Sequence, residues 1–327
     1  GKMQTLSRWV ITAAASCGGA ASASPSPPSR LVLQPTVQLL DELAGANGIV
    51  RVVQTHTHRV LLLDTVVLGA EYRADWARDQ AAFSGMALMQ TLAFLQPVPA
   101  AVLCLGLGSG TVPEFLRARG IETDTVEYDR AVLAMATKHF AHGERPSPGR
   151  DVLADALSFL SGGETLPSRR YDVVLSDLFA GTNPISAHTH EHYTRIRSSW
   201  LRKGGVLAVN IFAHRAGNYS QLAASTRRTL VAVFEHVRAF TDHPPSPMTE
   251  GTPSNLLFFA SDAPLQFTPM ADYGAPEGSS DHLHANFLGW ELAADDAAGS
   301  LISANDPPPS WLLAEQQDIT TTTTNMG

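Results

Sequence analysis

Hydrophobic and polar positions along this chain alternate between two periods. The run Val102–Leu105 is apolar on both faces and predicts a buried strand. It breaks into Gly106-Leu107-Gly108-Ser109-Gly110-Thr111. Val112, Phe115 and Leu116 then fall on one face, with Arg117 and Arg119 on another, which predicts a helix. A second strand ends at Val126-Glu127. The alternation repeats: a short strand over Val152–Ala154 meets Asp155-Ala156 and a helical stretch, and Tyr171–Ser176 reads as a strand ending in Asp177. Residues 201–205 turn into a further strand that reaches Asn210. Strands alternating with helices predict a doubly wound α/β sheet. Upstream, Ile49–Gln54 and Arg59–Asp64 read as a strand pair; downstream, Ser254–Ala260 reads as one more strand.

The glycine turn between Leu105 and Val112 carries the candidate chemistry. Glycines let backbone N–H groups and a helix N-terminus approach a ligand closely. An acid at the tip of the next strand, here Glu127, suits a ribose diol. Asp155, with Ala156 beside it, stands where an acid can accept from an adenine amino group. Asp177 completes a row of acids at the carboxyl ends of parallel strands, where open α/β sheets bind ligands. The spacing is G-x-G-x-G, typical of S-adenosylmethionine folds, whereas a dinucleotide fold would read G-x-G-x-x-G.

These residues resemble the spermidine-synthase-like branch of the S-adenosylmethionine-dependent transferases. Leu61-Leu62-Leu63-Asp64 looks like the L-x-L-D ending of the small β-region of polyamine synthases. Asp177-Leu178-Phe179-Ala180-Gly181, Pro184 and Glu191-His192-Tyr193 resemble the D-x-F-x-G…P…E-x-Y segment of bacterial members, and Ser254–Ala260 resembles the final antiparallel strand. The resemblance covers residues 48–265. It implies a Rossmann-like sheet with a small N-terminal β-hairpin region and extended termini. It also implies S-adenosylmethionine held by Gly106, Gly108, Ser109, Gly110, Glu127, Asp155, Ala156 and Asp177, with Asp177 at the reacting end. The implied divisions are an arm over 1–47, a β-region and connecting helix over 48–96, the cofactor domain over 97–265 and an irregular extension over 266–327.

Departures from the family decide the activity. Polyamine synthases carry an acid where Ser109 stands and a second acid where Ala180 stands. They carry a tyrosine and an acid near Phe83 and Gly85. A diamine is a dication and needs an anionic slot. The resemblance therefore implies a methyltransferase, with a protein or small-molecule acceptor, ahead of an aminopropyltransferase. A noncatalytic scaffold subunit of a large organellar assembly is the alternative.

Composition narrows this picture. The chain has 327 residues and a net charge of −8, with 31 acids against 23 Lys plus Arg, which does not imply nucleic-acid binding. Arg195, Arg197, Arg202 and Lys203 read as a solvated helix end. Two cysteines, Cys17 and Cys104, give no disulfide framework, and no apolar run reaches membrane-span length. His188-x-His190-x-His192 lies in a loop and helix, where i and i+2 point apart, so no metal site is expected. His56 and His58 are expected at the surface. Between Met3 and Leu40 there is no acid, while Ala, Ser and Pro abound. That composition predicts a mitochondrial transit-like segment, with a plastid or cytoplasmic protein as the alternatives. Trp9 and Val10 at one end, and Phe287, Trp290 and Trp311 at the other, are expected to anchor both termini on partner proteins.

Overall fold

The computed structural model describes residues 37–315, apart from 79, 143–148, 163–169, 180–181, 218–219, 245, 247–251, 296–297 and 313–314. The N-terminal residues 1–36, with Trp9 and Cys17, and the threonine run Thr320–Thr324 lie outside the described residues. So do the transit-like reading and the N-terminal contact expectation.

The chain opens with a four-stranded antiparallel sheet: β1 (Gln38–Ala44), β2 (Ile49–Gln54), β3 (His58–Leu63) and β4 (Val66–Tyr72). The sequence revealed only its middle pair. β1 is largely exposed, and its apolar residues Leu39, Leu40 and Leu43 do not alternate, so it gives no strand-period signal; its ladder to β2, Leu40 and the pairing of Asp41 with Lys138 and His139 hold it. The sheet therefore starts inside the segment read as an arm over 1–47, and the boundary moves back to Gln38. The L-x-L-D ending is a turn: Asp64 has φ 51°, a left-handed conformation that aspartate tolerates, and its carboxylate accepts the Ile49 N–H at 3.0 Å. His58 is buried, contrary to the surface expectation. Its ring lies 4.5 Å from that of Tyr72, and burial lowers its pKa.

Helix α1 (Ser84–Gln90) and the short β5 (Leu95–Gln96) lead into the main sheet. The next elements are β6 (Ala101–Leu105), α2 (Thr111–Ala118), β7 (Glu122–Glu127), α3 (Arg130–His139), β8 (Asp151–Leu153), α4 (Ala156–Leu160), β9 (Tyr171–Ser176) and α5 (His190–Arg195). Then come β10 (Leu201–Ala213), α6 (Gln221–Val231), β11 (His236–Thr241) and β12 (Ser254–Ser261). The seven strands stand in the order β11-β12-β10-β9-β6-β7-β8. The run from β8 to β10 is parallel, and β12 is antiparallel to both its neighbours.

β6 is apolar throughout because both its faces are covered. On one face Leu103 and Leu105 join Tyr193, Trp200 and Leu230; on the other Val102 and Cys104 join Leu88, Phe115 and Phe287. β7 is polar in sequence yet buried, since its side chains find partners. Tyr171 donates its hydroxyl to Asp124 at 2.6 Å, and Thr125 donates to Asp151 at 2.7 Å. The small sheet packs Val50, Val52 and Leu61 onto Ala131, Val132 and Met135 of α3.

The C-terminal extension belongs to this body. β13 (Gln266–Phe267) pairs with β5, and α7 (Ser280–Asn286) follows. Phe287 is fully buried, with ring centroids 5.3 Å from Phe240 and 5.5 Å from Phe267, both edge to face. Trp290 is buried, Leu312 is buried, and Trp311 packs on the core. These anchors were expected on partner proteins. Phe287 and Trp290 instead fill the apolar face left by β11, β12 and α1, and Trp311 packs on the opposite face of the sheet.

Candidate cofactor and transfer site

The sheet reverses its winding between β6 and β9, and a crevice opens beyond their carboxyl ends. The strand tips are stitched together there. Gly106 N–H donates to the Val126 carbonyl at 2.8 Å, and Asp177 N–H donates to the Leu105 carbonyl at 2.9 Å. Gly106 and Gly108 have φ 93° and 56°. A Cβ at Gly106 would strike the Asp177 carbonyl oxygen, and one at Gly108 would lie 2.5 Å from the Leu68 carbonyl oxygen. Only glycine builds this turn at those two positions. Gly110 precedes α2, against the His142 ring. Ser109 is buried, and its hydroxyl bonds that of Thr111 at 2.8 Å; Thr111 in turn donates to the Ala70 carbonyl at 3.0 Å. β4 therefore lies directly on the glycine turn.

Glu127, at the tip of β7, is buried, and its two carboxylate oxygens accept the N–H groups of Leu107 at 3.2 Å and Asp129 at 2.9 Å. Burial pushes its pKa up. Each carboxylate oxygen has capacity for a further donor. The neighbouring strand tip is tied to it, since Ala154 N–H donates to the Glu127 carbonyl at 2.9 Å. Asp155 follows, exposed. One of its oxygens caps α4 by accepting Ser158 N–H at 2.8 Å, and Ala156 is buried at the first position of that helix.

Asp177 is half-buried, and burial raises its pKa. Its Oδ1 accepts from the Asn210 amide at 2.9 Å. The same amide donates to Asn255 Oδ1 at 3.3 Å, and Asn255 Nδ2 donates to Asp242 Oδ2 at 3.0 Å. Sequence reasoning assigned none of Asn210, Asn255 and Asp242 a role. The available signal was an asparagine inside each of two otherwise apolar strands, β10 and β12. Gly85, one of the departures from the polyamine pattern, is explained by this contact: a Cβ there would collide with the Asn255 amide. Ala180, a further departure from that pattern, lies outside the described residues.

A small, solvent-open cleft lies along this site, lined by Leu68, Met86, Met89, Gly106, Ser109 and Asp177 among others. Cys104 also lines it. Burial pushes its thiol up to about 12, so it is a wall and not a nucleophile. Among the described residues no three His, Cys, Asp or Glu side chains converge as a metal set. His188 donates or accepts at the Tyr193 hydroxyl, 3.0 Å away, and burial lowers its pKa to about 3. Arg197 and Arg202 pair with Asp262 and Asp172. Among the described residues no helix is long and apolar enough to cross a membrane.

No family model matches the chain. Over 189 residues, 57% of this chain, it is 29% identical to an N-terminal histidine N-methyltransferase of Emericella nidulans, of which the match covers 31%. Over 167 residues, 47% of this chain, it is 28% identical to an eEF1A lysine and N-terminal methyltransferase of Homo sapiens, of which the match covers 23%. The chain thus spans less than a third of the curated relatives it matches. Among solved structures, the spermidine synthase of Thermotoga maritima superposes with a TM-score of 0.53 at 18% identity, covering 69% of this chain and 73% of that one. The chain thus shares the fold of spermidine synthase.

The residues at the strand tips suit the cofactor that the glycine turn predicts. The closely approached backbone of Gly106–Gly110 and the buried Glu127 carboxylate form one wall. The tip of β8 with Asp155 forms the next, and Asp177 faces the same crevice.

Proposed function

We propose that this chain is an S-adenosylmethionine-dependent methyltransferase whose acceptor is an amine nitrogen, on a protein or a small molecule. Gly106, Gly108 and Gly110 admit the methionine part, Glu127 takes the ribose hydroxyls and Asp155 the adenine amino group. The cofactor supplies an activated methyl group on a sulfonium, so catalysis is mainly positioning and desolvation of the nucleophile.

The observation that carries this reading is the placement of Asp177. Its backbone is bonded to Leu105 at the entrance of the glycine turn, and its carboxylate is held by Asn210. With Oδ1 so occupied, Oδ2 accepts an N–H of the acceptor amine and directs the nitrogen lone pair along the crevice. Burial holds the Asp177 pKa above the ordinary carboxylate range, which makes it a better proton acceptor than a surface aspartate. The names of the two relatives, both nitrogen methyltransferases, support a nitrogen acceptor.

The test pairs calorimetry with transfer of a labelled methyl group to peptides bearing a free α-amine and lysine. Asp177→Asn is expected to lower transfer by about 100-fold, the cost of misplacing a reacting group, while leaving S-adenosylmethionine affinity intact. A protein that binds no S-adenosylmethionine overturns the reading and leaves the noncatalytic scaffold.

A further inference from the structure

Asn210 is the least satisfied polar side chain of the site. It is buried, its Nδ2 makes two hydrogen bonds, and its Oδ1 has no partner. A buried amide is free to face either way unless its neighbours forbid it. Here the neighbours form a chain that ends on β11. Asp242 is buried just past that strand, where its backbone N–H is bonded to the Asn255 carbonyl at 3.2 Å. Its carboxylate gathers Ser84 Oγ at 2.9 Å, His243 Nδ1 at 2.7 Å and Asn255 Nδ2 at 3.0 Å.

A carboxylate only accepts, so Asn255 must turn its NH₂ toward Asp242 and its carbonyl toward Asn210. Asn210 must then offer its NH₂ to that carbonyl, and the same NH₂ reaches Asp177. What remains is the Asn210 carbonyl oxygen, buried and unsatisfied. An unmet buried acceptor costs stability, and a site that hydrogen-bonds a substrate N–H recovers it.

Resting on the methyltransferase reading above, we propose that Asp242 is a positioning residue of the transfer site. Through Asn255 it fixes which way Asn210 faces. It thereby keeps a donor on Asp177 and leaves the Asn210 carbonyl oxygen to accept a second N–H of the acceptor amine. The amine is then seated between two acceptors, Asp177 Oδ2 and Asn210 Oδ1. The anionic group that the polyamine pattern places on the helix around Gly85 is supplied here from β11, and it acts by setting polarity rather than by touching the substrate.

The experiment is an NMR titration of the Asp177 carboxyl in ¹³C-aspartate-labelled protein, assigned with Asp177→Asn, together with the pH profile of methyl transfer. Asp242→Asn is isosteric. Its NH₂ can face the Asn255 carbonyl, which turns Asn255, then Asn210, and removes the donor from Asp177. The Asp177 titration, and the acid limb of the pH profile with it, is expected to move up by about one unit or more. Loss of the Asp242 charge alone would move Asp177 the other way, because a like charge has gone. The sign therefore separates positioning from plain electrostatics.

The groups that face this chain are Cys104 beside Asp177 and His243 beside Asp242. Neither is altered in the variant. The swap Asp242→Asn with Asn255→Asp restores an acceptor opposite Asn210 and is expected to bring the titration back. Asn255→Ala removes the link but places no donor against Asn210, so Asp177 keeps the Asn210 NH₂ and its titration is expected to stay within a few tenths of a unit of the wild-type value, whereas Asp242→Asn moves it. A downward or absent shift in Asp242→Asn, or a swap that fails to restore the titration, overturns the proposal. The titration needs no turnover, so wild-type protein that binds no S-adenosylmethionine would refute the proposed function on its own account.

Discussion

The carboxylate of Glu127 accepts the backbone N–H of Leu107 at 3.2 Å. The acid at one strand tip thereby holds the middle of the glycine turn that leaves the strand beside it. Glu127→Gln keeps the shape and removes the charge, and an amide oxygen still faces Leu107. The variant is expected to stay folded and to weaken S-adenosylmethionine binding by about 1–3 kcal/mol, roughly 10- to 100-fold. Calorimetry on wild type and variant, with circular dichroism as the control for fold, checks it.

A second prediction concerns pH and stability. His142 is buried between Asp151 at 2.9 Å and Glu114 at 3.4 Å, and Arg117 pairs with both acids. Burial lowers the His142 pKa, but the two carboxylates outweigh it and the net shift is upward; Asp151 and Glu114 are net lowered by the same contacts. A raised histidine contributes stability that is complete below its unfolded value, near 6.5, and is lost as pH rises through the higher folded value. Lowered carboxylates contribute stability above their unfolded values, near 4, that is lost as pH falls through the folded ones. The cluster is thus worth most between about pH 4.5 and 6.5. Urea midpoints of wild type and His142→Gln should differ most in that window and draw together as pH rises above it. A constant difference across pH would contradict the assignment.

The third prediction replaces the expectation that the C-terminal extension is a loose arm. Phe287→Ala is expected to cost about 3–5 kcal/mol, as for other fully buried aromatic truncations. It should also release the segment from Phe267 onward to proteases. In wild-type protein, limited proteolysis should leave residues 266–304 attached to the resistant core. Rapid loss of that segment from unmutated protein would show that the edge-to-face contacts of Phe240, Phe267 and Phe287 do not hold it.

The fourth prediction is an absence of polyamine chemistry. Ser109 bonds Thr111 under β4, and Asn255 fills the space above Gly85. Two of the acids that would hold a diamine are therefore replaced by neutral groups. Incubation with decarboxylated S-adenosylmethionine and putrescine is expected to yield no spermidine above background. Product at an enzymatic rate would show that Asp177 and Asp242 suffice for a dication.

The glycine turn and the strands around it were legible because their signals are local. A turn that only glycine can build, followed by a helix and then an acid at a strand tip, is written in consecutive residues from Leu105 to Glu127. The links from Asp177 to Asn210, Asn255 and Asp242 were not, because two of these residues lie inside β10 and β12 and two just past the ends of β9 and β11, and no spacing along the chain marks their meeting. β1 escaped notice because the leucines of this exposed edge strand do not alternate with its polar residues. The Phe287–Trp290 island was misassigned for the opposite reason. Its apolar character was plain, but composition cannot say whether an anchor finds its socket at home or abroad.

β4 bears on how this molecule can be taken apart. Every side chain assigned to the nucleotide lies after residue 97, yet the Leu68 carbonyl closes on Gly108 and the Ala70 carbonyl holds Thr111. A fragment trimmed to the large sheet would keep all the recognised letters of the motif and lose one wall of the room they furnish. The small sheet is therefore better regarded as a lintel than as an ornament, and any insult to it, even one remote from the crevice, should be felt first as lost grip on the cofactor.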